Sequence, residues 1–166
     1  MVDGKLVGDG TWAFFLKVDG DDLTCDTAFA TWFGGDNDPQ DSGSTACGYS
    51  TKWHPQLMGC ALPMHGYGVS VLNGSPVPKM PFGLHSDGST NVDGCFVRVF
   101  NPATDKTITV PCIDLGPGKQ ATTNPAIPHA IDLSQAAFKA IGGSIEQGIV
   151  KVRYRILGGA KYVKTP

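Results

Sequence analysis

The chain has 166 residues, 13 of them basic and 15 acidic, for a net charge of -2. This length suits one compact domain with its own hydrophobic core, and a near-neutral chain without a Lys/Arg-rich block is a poor partner for nucleic acid or an anionic membrane. No apolar run reaches the ~20 residues that span a bilayer. The 22 glycines and 12 prolines, with only 17% charged residues, indicate many turns and predict a mainly all-β fold.

The N-terminal part holds two strand candidates followed by a long loop. "GTWAFFLKV" and "TAFATWFGG" are rich in aromatic and β-branched residues. Between them and the next strands lie two turn-rich stretches, residues 34–56 and 66–91. Loops of this length in a small domain usually carry function. The first ten residues, "MVDGKLVGDG", lack the pattern of a secretion signal, so we expect an intracellular protein or a secreted form whose signal has been removed.

A hairpin is predicted in the middle of the chain. In "CFVRVFNPATDKTITVPC" alternating side chains run on both sides of the turn residues "NPATD". If the hairpin is symmetric about that turn, Cys95 lies opposite Cys112, close enough for a disulfide. The alternative is two buried, reduced thiols. Five cysteines leave at least one unpaired within the chain.

The C-terminal part predicts one helix and one strand. Ser134 is a good N-cap for the apolar segment "QAAFKAI", which ends at Gly142 and Gly143. "IVKVRYRI" alternates apolar with basic residues, as expected for a strand with one face in water.

Two aspartates at the ends of apolar runs are the first candidates for chemistry. Asp114 lies in "CIDLGPG" and Asp132 in "AIDLS". Acidic side chains are rare beside buried apolar residues, so each of these two needs a structural or a functional explanation. The structural alternative for Asp132 is a carboxylate just ahead of a helix N-terminus, and for Asp114 a turn residue that accepts backbone amides.

Other side chains could bind ligands. The types of Cys47, His54, Cys60 and His65 are loosely zinc-like, but their spacing matches no zinc motif, so we expect no metal. Aromatic residues in or beside the loops could stack on sugar rings, although in β proteins they more often lie in the core. They are Trp32, Phe33, Tyr49, Trp53 and Tyr67, of which Phe33 is predicted to be buried.

Read in order, four segments resemble the first domain of an expansin. They are "ATWFGG" followed by "DSGSTACGY", then "DLGPG", "HAIDLSQAAFKAI" and "GIVKVRYRIL". The stretch "VRVFNPATDKTITVPCIDLGP" together with "IDLSQAAF" also resembles the bacterial rare-lipoprotein-A-type proteins, some of which are lytic transglycosylases that act on peptidoglycan. The resemblance covers residues 29 to 157 and lacks the second, carbohydrate-binding domain of expansins. It divides the chain into an extension, residues 1–28, which could form an extra hairpin, and a domain, residues 29–166.

The resemblance implies a six-stranded double-psi β-barrel with one short helix, long loops and an open groove for a polysaccharide. It assigns Asp132 and Asp114 as the candidate catalytic acids. It places Thr31 in the same groove, where related family-45 endoglucanases carry a catalytic base on the first strand, so hydrolysis would need Asp36 or Asp38 instead. The remaining groove candidates are Trp32, Tyr49, Trp53, Tyr67, His65 and His129.

Three functions compete. The first is a secreted, monomeric, cofactor-free protein that binds cellulose, β-glucan or peptidoglycan and loosens it without clear hydrolysis. The second is a glycan-cleaving enzyme, a lytic transglycosylase or an endoglucanase, with Asp114 or Asp132 as the general acid. The third is a protease-inhibitor or defence-type binding module, since small double-psi barrels also serve in these roles.

Overall fold

The structure is a computed structural model that describes residues 16–34, 45–63, 71–72, 75–76, 80–116 and 129–162. Its strands are β1 (Lys17–Asp19), β2 (Asp22–Phe33), β3 (Cys60–Leu62), β4 (Val71–Leu72), β5 (Ser75–Pro76), β6 (Phe96–Asn101), β7 (Lys106–Leu115), β8 (His129–Ser134) and β9 (Ile149–Ile156). Helix α1 covers Gln135–Ala140, and a 3-10 helix covers Gly159–Tyr162. Among the helices of these residues, none has the length and apolar character needed to cross a membrane.

Six strands close into a barrel. The strands follow one another in the order β1-β2-β8-β3-β7-β6-β9, and β2 also pairs with β9. Because β2 contacts both β8 and β9, the sheet has no open edge between them, and β1 is added outside the ring. Two pairs are parallel, β2 with β8 and β3 with β7. The predicted mainly-β fold with a closed six-stranded barrel and one short helix is confirmed.

The first residues that the structure describes form part of this barrel. Strand β1 turns at Gly20, whose φ of 60° is in the left-handed region, and pairs with the start of β2. Strand β2 begins at Asp22 and carries Leu23 and Cys25 into the core. Residues 1–15 lie outside the described part of the chain, so the predicted division at residue 29 stays a prediction.

The core follows from alternation along the strands. In β9 the side chains of Val152, Tyr154 and Ile156 are buried, whereas Lys151 and Arg153 are exposed, so the predicted strand with one wet face is confirmed. The Tyr154 hydroxyl donates to the Ala130 carbonyl at 2.9 Å, which satisfies a polar group that burial would otherwise make costly.

The predicted hairpin is present and symmetric. Phe96 pairs with Pro111 and Asn101 with Lys106 across β6 and β7. Asp105, at φ 59°, adopts the left-handed conformation that closes the turn. The buried Asn101 side chain donates from Nδ2 to the Ile141 carbonyl at 2.8 Å, and so ties the turn to the end of helix α1.

Helix α1 begins and ends as predicted. The Ser134 hydroxyl accepts from the Ala137 amide, and Gly142 takes a φ of 82° just after the helix. The same hydroxyl accepts from the Gly59 amide at 3.0 Å and donates to the Leu57 carbonyl at 2.8 Å. One buried side chain therefore joins the helix, β8 and the chain segment that leads into β3.

Three thiols meet inside the barrel. Cys112 is the backbone partner of Cys60 in β3, and its amide donates to the Cys95 carbonyl at 2.9 Å, so the predicted juxtaposition of Cys95 and Cys112 is present. All five cysteines are free thiols. Hydrogen bonds from the Cys60 and Cys95 thiols lower the pKa of Cys112, whereas burial raises the pKa of Cys25 to about 12. The backbone register therefore brings Cys112 beside both Cys60 and Cys95.

We predict that oxidation by oxidised glutathione forms one disulfide, between Cys112 and Cys95. The hairpin sets these two residues opposite one another, and closing a loop of this length should stabilise the fold by about 3 kcal/mol. The measurement is peptide mapping of the oxidised protein together with its denaturant midpoint. Cys112→Ala should abolish the bridge and Cys25→Ala should leave it intact. A bridge from Cys112 to Cys60, or one that survives in Cys112→Ala, would contradict the assignment.

Candidate functional site

The two candidate acids lie in one row across four strands. Thr31 of β2 pairs with Asp132 of β8, Asp132 pairs with Ala61 of β3, and Ala61 pairs with Asp114 of β7. We call these four residues the acid row. Their neighbours Ala30 and Ile131 are fully buried, whereas Thr31, Asp132 and Asp114 are half-buried, so these three polar side chains face away from the core, and Ala61 between the two acids is buried. The structure brings together the three residues that the resemblance placed in one groove.

A neighbouring strand binds Asp132. The Thr31 hydroxyl donates to Asp132 Oδ1 across the parallel pair. Asp132 lies within β8, two residues before the cap, and the Ser134 hydroxyl accepts from the Ala137 amide. The predicted interpretation of Asp132 as a carboxylate ahead of the helix N-terminus stays a prediction.

Asp114 acts as a clamp. Its Oδ1 accepts from the Leu115 amide at 2.8 Å and from the Ala46 amide at 3.1 Å. These two bonds tie the end of β7 to the loop that contains Ala46. The predicted interpretation as an acid that accepts backbone amides fits this geometry, although Asp114 lies in strand β7 and not in a turn.

The distance between the acids matters for catalysis. Neighbouring strands are about 4.8 Å apart, so the backbones of Asp114 and Asp132, with β3 between them, are about 10 Å apart. Inverting glycosidases hold their carboxyl groups ~6.5–9.5 Å apart. The predicted role of Asp114 or Asp132 as a general acid stays a prediction.

Residues 45–57, which we call the pinned loop, are fastened to the barrel at both ends. At one end the Ala46 amide binds Asp114, and the Cys47 amide donates to the Ile113 carbonyl at 3.0 Å. At the other end the Leu57 carbonyl accepts from Ser134. Gly34 packs so tightly on the loop that an added Cβ would lie 2.6 Å from Thr51 Oγ1.

The pinned loop is also braced internally. The Ser50 hydroxyl accepts from the Lys52 and Trp53 amides at 3.1 and 3.3 Å. The rings of Tyr49 and His54 stack with centroids 4.0 Å apart. The Trp53 side chain, in contrast, has 76% of its surface exposed to solvent. The loop is a braced scaffold with one large apolar side chain in water.

The other candidate residues are dispersed. Trp32 packs against the core and donates from Nε1 to the Ile145 carbonyl at 3.2 Å. The prediction that Phe33 is buried is wrong in degree, because alternation in β2 places Trp32 on the core side and leaves Phe33 half-buried. Cys60 is sealed in the barrel, apart from Cys47 and His54 on the pinned loop, and no cluster that could hold a metal occurs among the described residues.

Several candidates cannot be placed. His65, Tyr67, Asp36 and Asp38 lie outside the described residues, and so does the side chain of His129, whose backbone starts β8. Their predicted roles stay predictions. Sequence reasoning missed the role of Ala46 and Ser50, because a backbone amide and a serine in a loop carry no pattern that predicts their partners.

Comparisons with known proteins find likeness among solved structures. No protein-family model and no curated protein matches the chain. Among solved structures, a Streptomyces papain inhibitor is similar over 81% of this chain and 94% of its own, with 21% identity and a TM-score of 0.47. A likeness at this level says nothing about what this chain binds.

We predict that Asp114→Ala frees the N-terminal end of the pinned loop. Two amides would lose their acceptor, so the free energy of unfolding should fall by about 1–3 kcal/mol. Hydrogen exchange at the amides of Ala46 and Leu115 should also become faster. Asp93→Ala is the matched control, since the Asp93 carboxylate is exposed, and it should change stability by less than about 0.5 kcal/mol. Unchanged exchange at Ala46 in Asp114→Ala would show that the clamp does not hold the loop.

Proposed function

We propose that this chain is a binding protein that inhibits a protease by inserting the pinned loop, with Trp53 at its contact surface, into the partner's cleft. The observation that carries the proposal is the 76% exposure of Trp53 on a loop fastened at both ends. Tryptophan is among the residues most enriched at binding hot spots.

Rigidity favours this use of the loop. A loop that is ordered before binding loses little conformational entropy when it binds, so more of the contact energy appears as affinity. The hydrogen bonds of Ser50 and Asp114 supply that order in the free protein. A second exposed apolar side chain, Val92 at 84%, lies on a neighbouring loop that reaches the pinned loop where Gly88 packs against the Tyr49 ring.

The exposure of Trp53 favours a concave protein surface over a flat sugar. An aromatic residue that serves as a stacking platform lies flat, so the protein covers one of its faces and about half of its surface. Trp53 keeps three quarters of its surface in water and therefore protrudes. Protruding side chains fill pockets, and the substrate cleft of a protease is such a pocket. The choice of a protease rests on the resemblance to double-psi barrels, whose small members include inhibitors.

The chain should inhibit at least one protease in a panel of cysteine, serine, aspartic and metallo-proteases assayed with fluorogenic peptides. Trp53→Ala should weaken that inhibition about 30-fold, because truncating a hot-spot residue costs about 2 kcal/mol. Lys139→Ala, on the exposed side of helix α1, should leave the inhibition constant unchanged. Inhibition that survives in Trp53→Ala would exclude the pinned loop as the contact. A panel without any inhibited protease would contradict the proposal.

A second candidate function rests on the acid row. Ala61 separates the two half-buried carboxylates of Asp114 and Asp132 by one strand, so both carboxylates lie along one line across the barrel. Such a row could bind a β-linked polysaccharide without cleaving it, as the resemblance to expansins implies. Pull-down on cellulose, β-glucan and peptidoglycan that fails for Asp132→Asn and persists for Trp53→Ala would favour this function over inhibition.

A further inference from the structure

A shallow pocket of about 210 Å³ lies on the outer face of β2, β9 and β6, away from the pinned loop and the acid row. Three arginines and two aromatic residues line most of it. The residues that carry the argument are Arg98, Phe100, Arg153, Arg155 and Asp26. We call this the arginine pocket.

The register of the barrel forces like charges together in this pocket. Arg98 of β6 is the direct cross-strand partner of Arg155 of β9. Like charges placed opposite one another in a sheet are destabilising by up to about 1 kcal/mol. A like-charge pair lowers the stability of the folded state. Its presence therefore indicates a role other than stabilising the fold.

Only part of this positive charge is balanced by carboxylates. Arg155 donates to Asp19 at 2.6 Å and to Asp22 at 3.0 Å, and these bonds raise its pKa. Asp26 is paired with Lys17 at 2.8 Å. Arg98 and Arg153 form no ion pair with any residue in the described ranges 16–34, 45–63, 80–116 and 129–162, and both are exposed.

Phe100 orients one of these two free charges. The Arg153 guanidinium lies over the Phe100 ring, 4.9 Å from its centroid, and the two residues are register partners. A guanidinium stacked on a ring keeps its N–H groups available at its edge. Arg153 is therefore positioned to donate two parallel hydrogen bonds to an oxyanion while its hydrocarbon stem stays covered.

We propose that the arginine pocket binds a tetrahedral oxyanion, a phosphate or sulfate group, between Arg98 and Arg153. A tetrahedral oxyanion offers separate pairs of oxygens to two guanidinium groups, whereas a planar carboxylate offers only one pair. Arginine is the residue that best recognises such oxyanions in a bidentate manner. A water molecule takes up about 30 Å³ in the liquid. The pocket, at about 210 Å³, therefore has room for the anion and for part of the group to which it is esterified.

The test uses the full chain and three probes at matched ionic strength, namely inorganic phosphate, inorganic sulfate and glucose 6-phosphate, with glucose and chloride as blanks. Binding is followed by NMR through the amides of Phe100 and Arg153 and the side-chain N–H groups of the arginines. Saturable shifts confined to these groups are expected with the anions and absent with the blanks. Tighter binding of glucose 6-phosphate than of inorganic phosphate would identify an esterified ligand, and equal binding would identify the free anion.

Two variants make the test specific. Arg98→Gln and Arg153→Gln should each weaken binding about tenfold, since each removes a charge-assisted hydrogen-bond donor. Lys139→Gln on helix α1 removes the same charge outside the pocket and should leave binding unchanged. Both arginine variants should fold, because their side chains are exposed, and Arg98→Gln should melt at the same or a higher temperature, since it relieves the contact with Arg155.

Three outcomes would overturn the proposal. They are no saturable shift with any anion, equal binding in the arginine variants, and equal weakening by Lys139→Gln, which would reveal attraction to net charge alone. The result is independent of the protease assay, because no residue of the arginine pocket belongs to the pinned loop or to the acid row.

Discussion

The structure depends on strand β2, which closes the barrel. Its residues from Leu23 to Thr31 pair with β9, and those from Phe29 to Phe33 pair with β8. Twelve residues allow a single strand to bridge both neighbours, with a register shift between Cys25 and Ala28 where the strand bends around the core. Without this double pairing the sheet would have two open edges, and the rows of side chains on its outer face would not be continuous.

Strand β2 also positions residues of both proposed binding surfaces on the outer face of the barrel. At its C-terminal end the strand places Thr31 beside Asp132 and brings Gly34 against Thr51 of the pinned loop. Nearer its N-terminal end it contributes Asp26 to the rim of the arginine pocket. The pinned loop and the arginine pocket thus both contact strand β2. Neither binding surface needs a conformational change to form.

Local signals explain what the sequence could predict. The cap at Ser134, the last strand and the hairpin each depend on residues close together in the chain, the most distant being the pair Phe96 and Pro111, so alternation, turn and capping rules predict them. The placement of Thr31 beside Asp132 came only from the resemblance, because those residues are 101 positions apart. The clamp between Asp114 and Ala46 could not be predicted, since one partner is a backbone amide that any residue would supply. The prediction places Phe33 on the buried side of β2, although alternation from Ala30 places Trp32 there.

Net charge hides a separation of charges that only the fold reveals. The chain as a whole is near neutral, which argues against a surface that is basic or acidic throughout. Along the barrel, however, β7 and β8 carry the half-buried acids, whereas β6 and β9 carry arginines opposite one another. Because strand order differs from chain order, the acids of β7 and β8 lie along one part of the barrel and the arginines of β6 and β9 along another. A near-neutral protein can therefore hold one anion in a defined pocket without attracting polyanions over its whole surface.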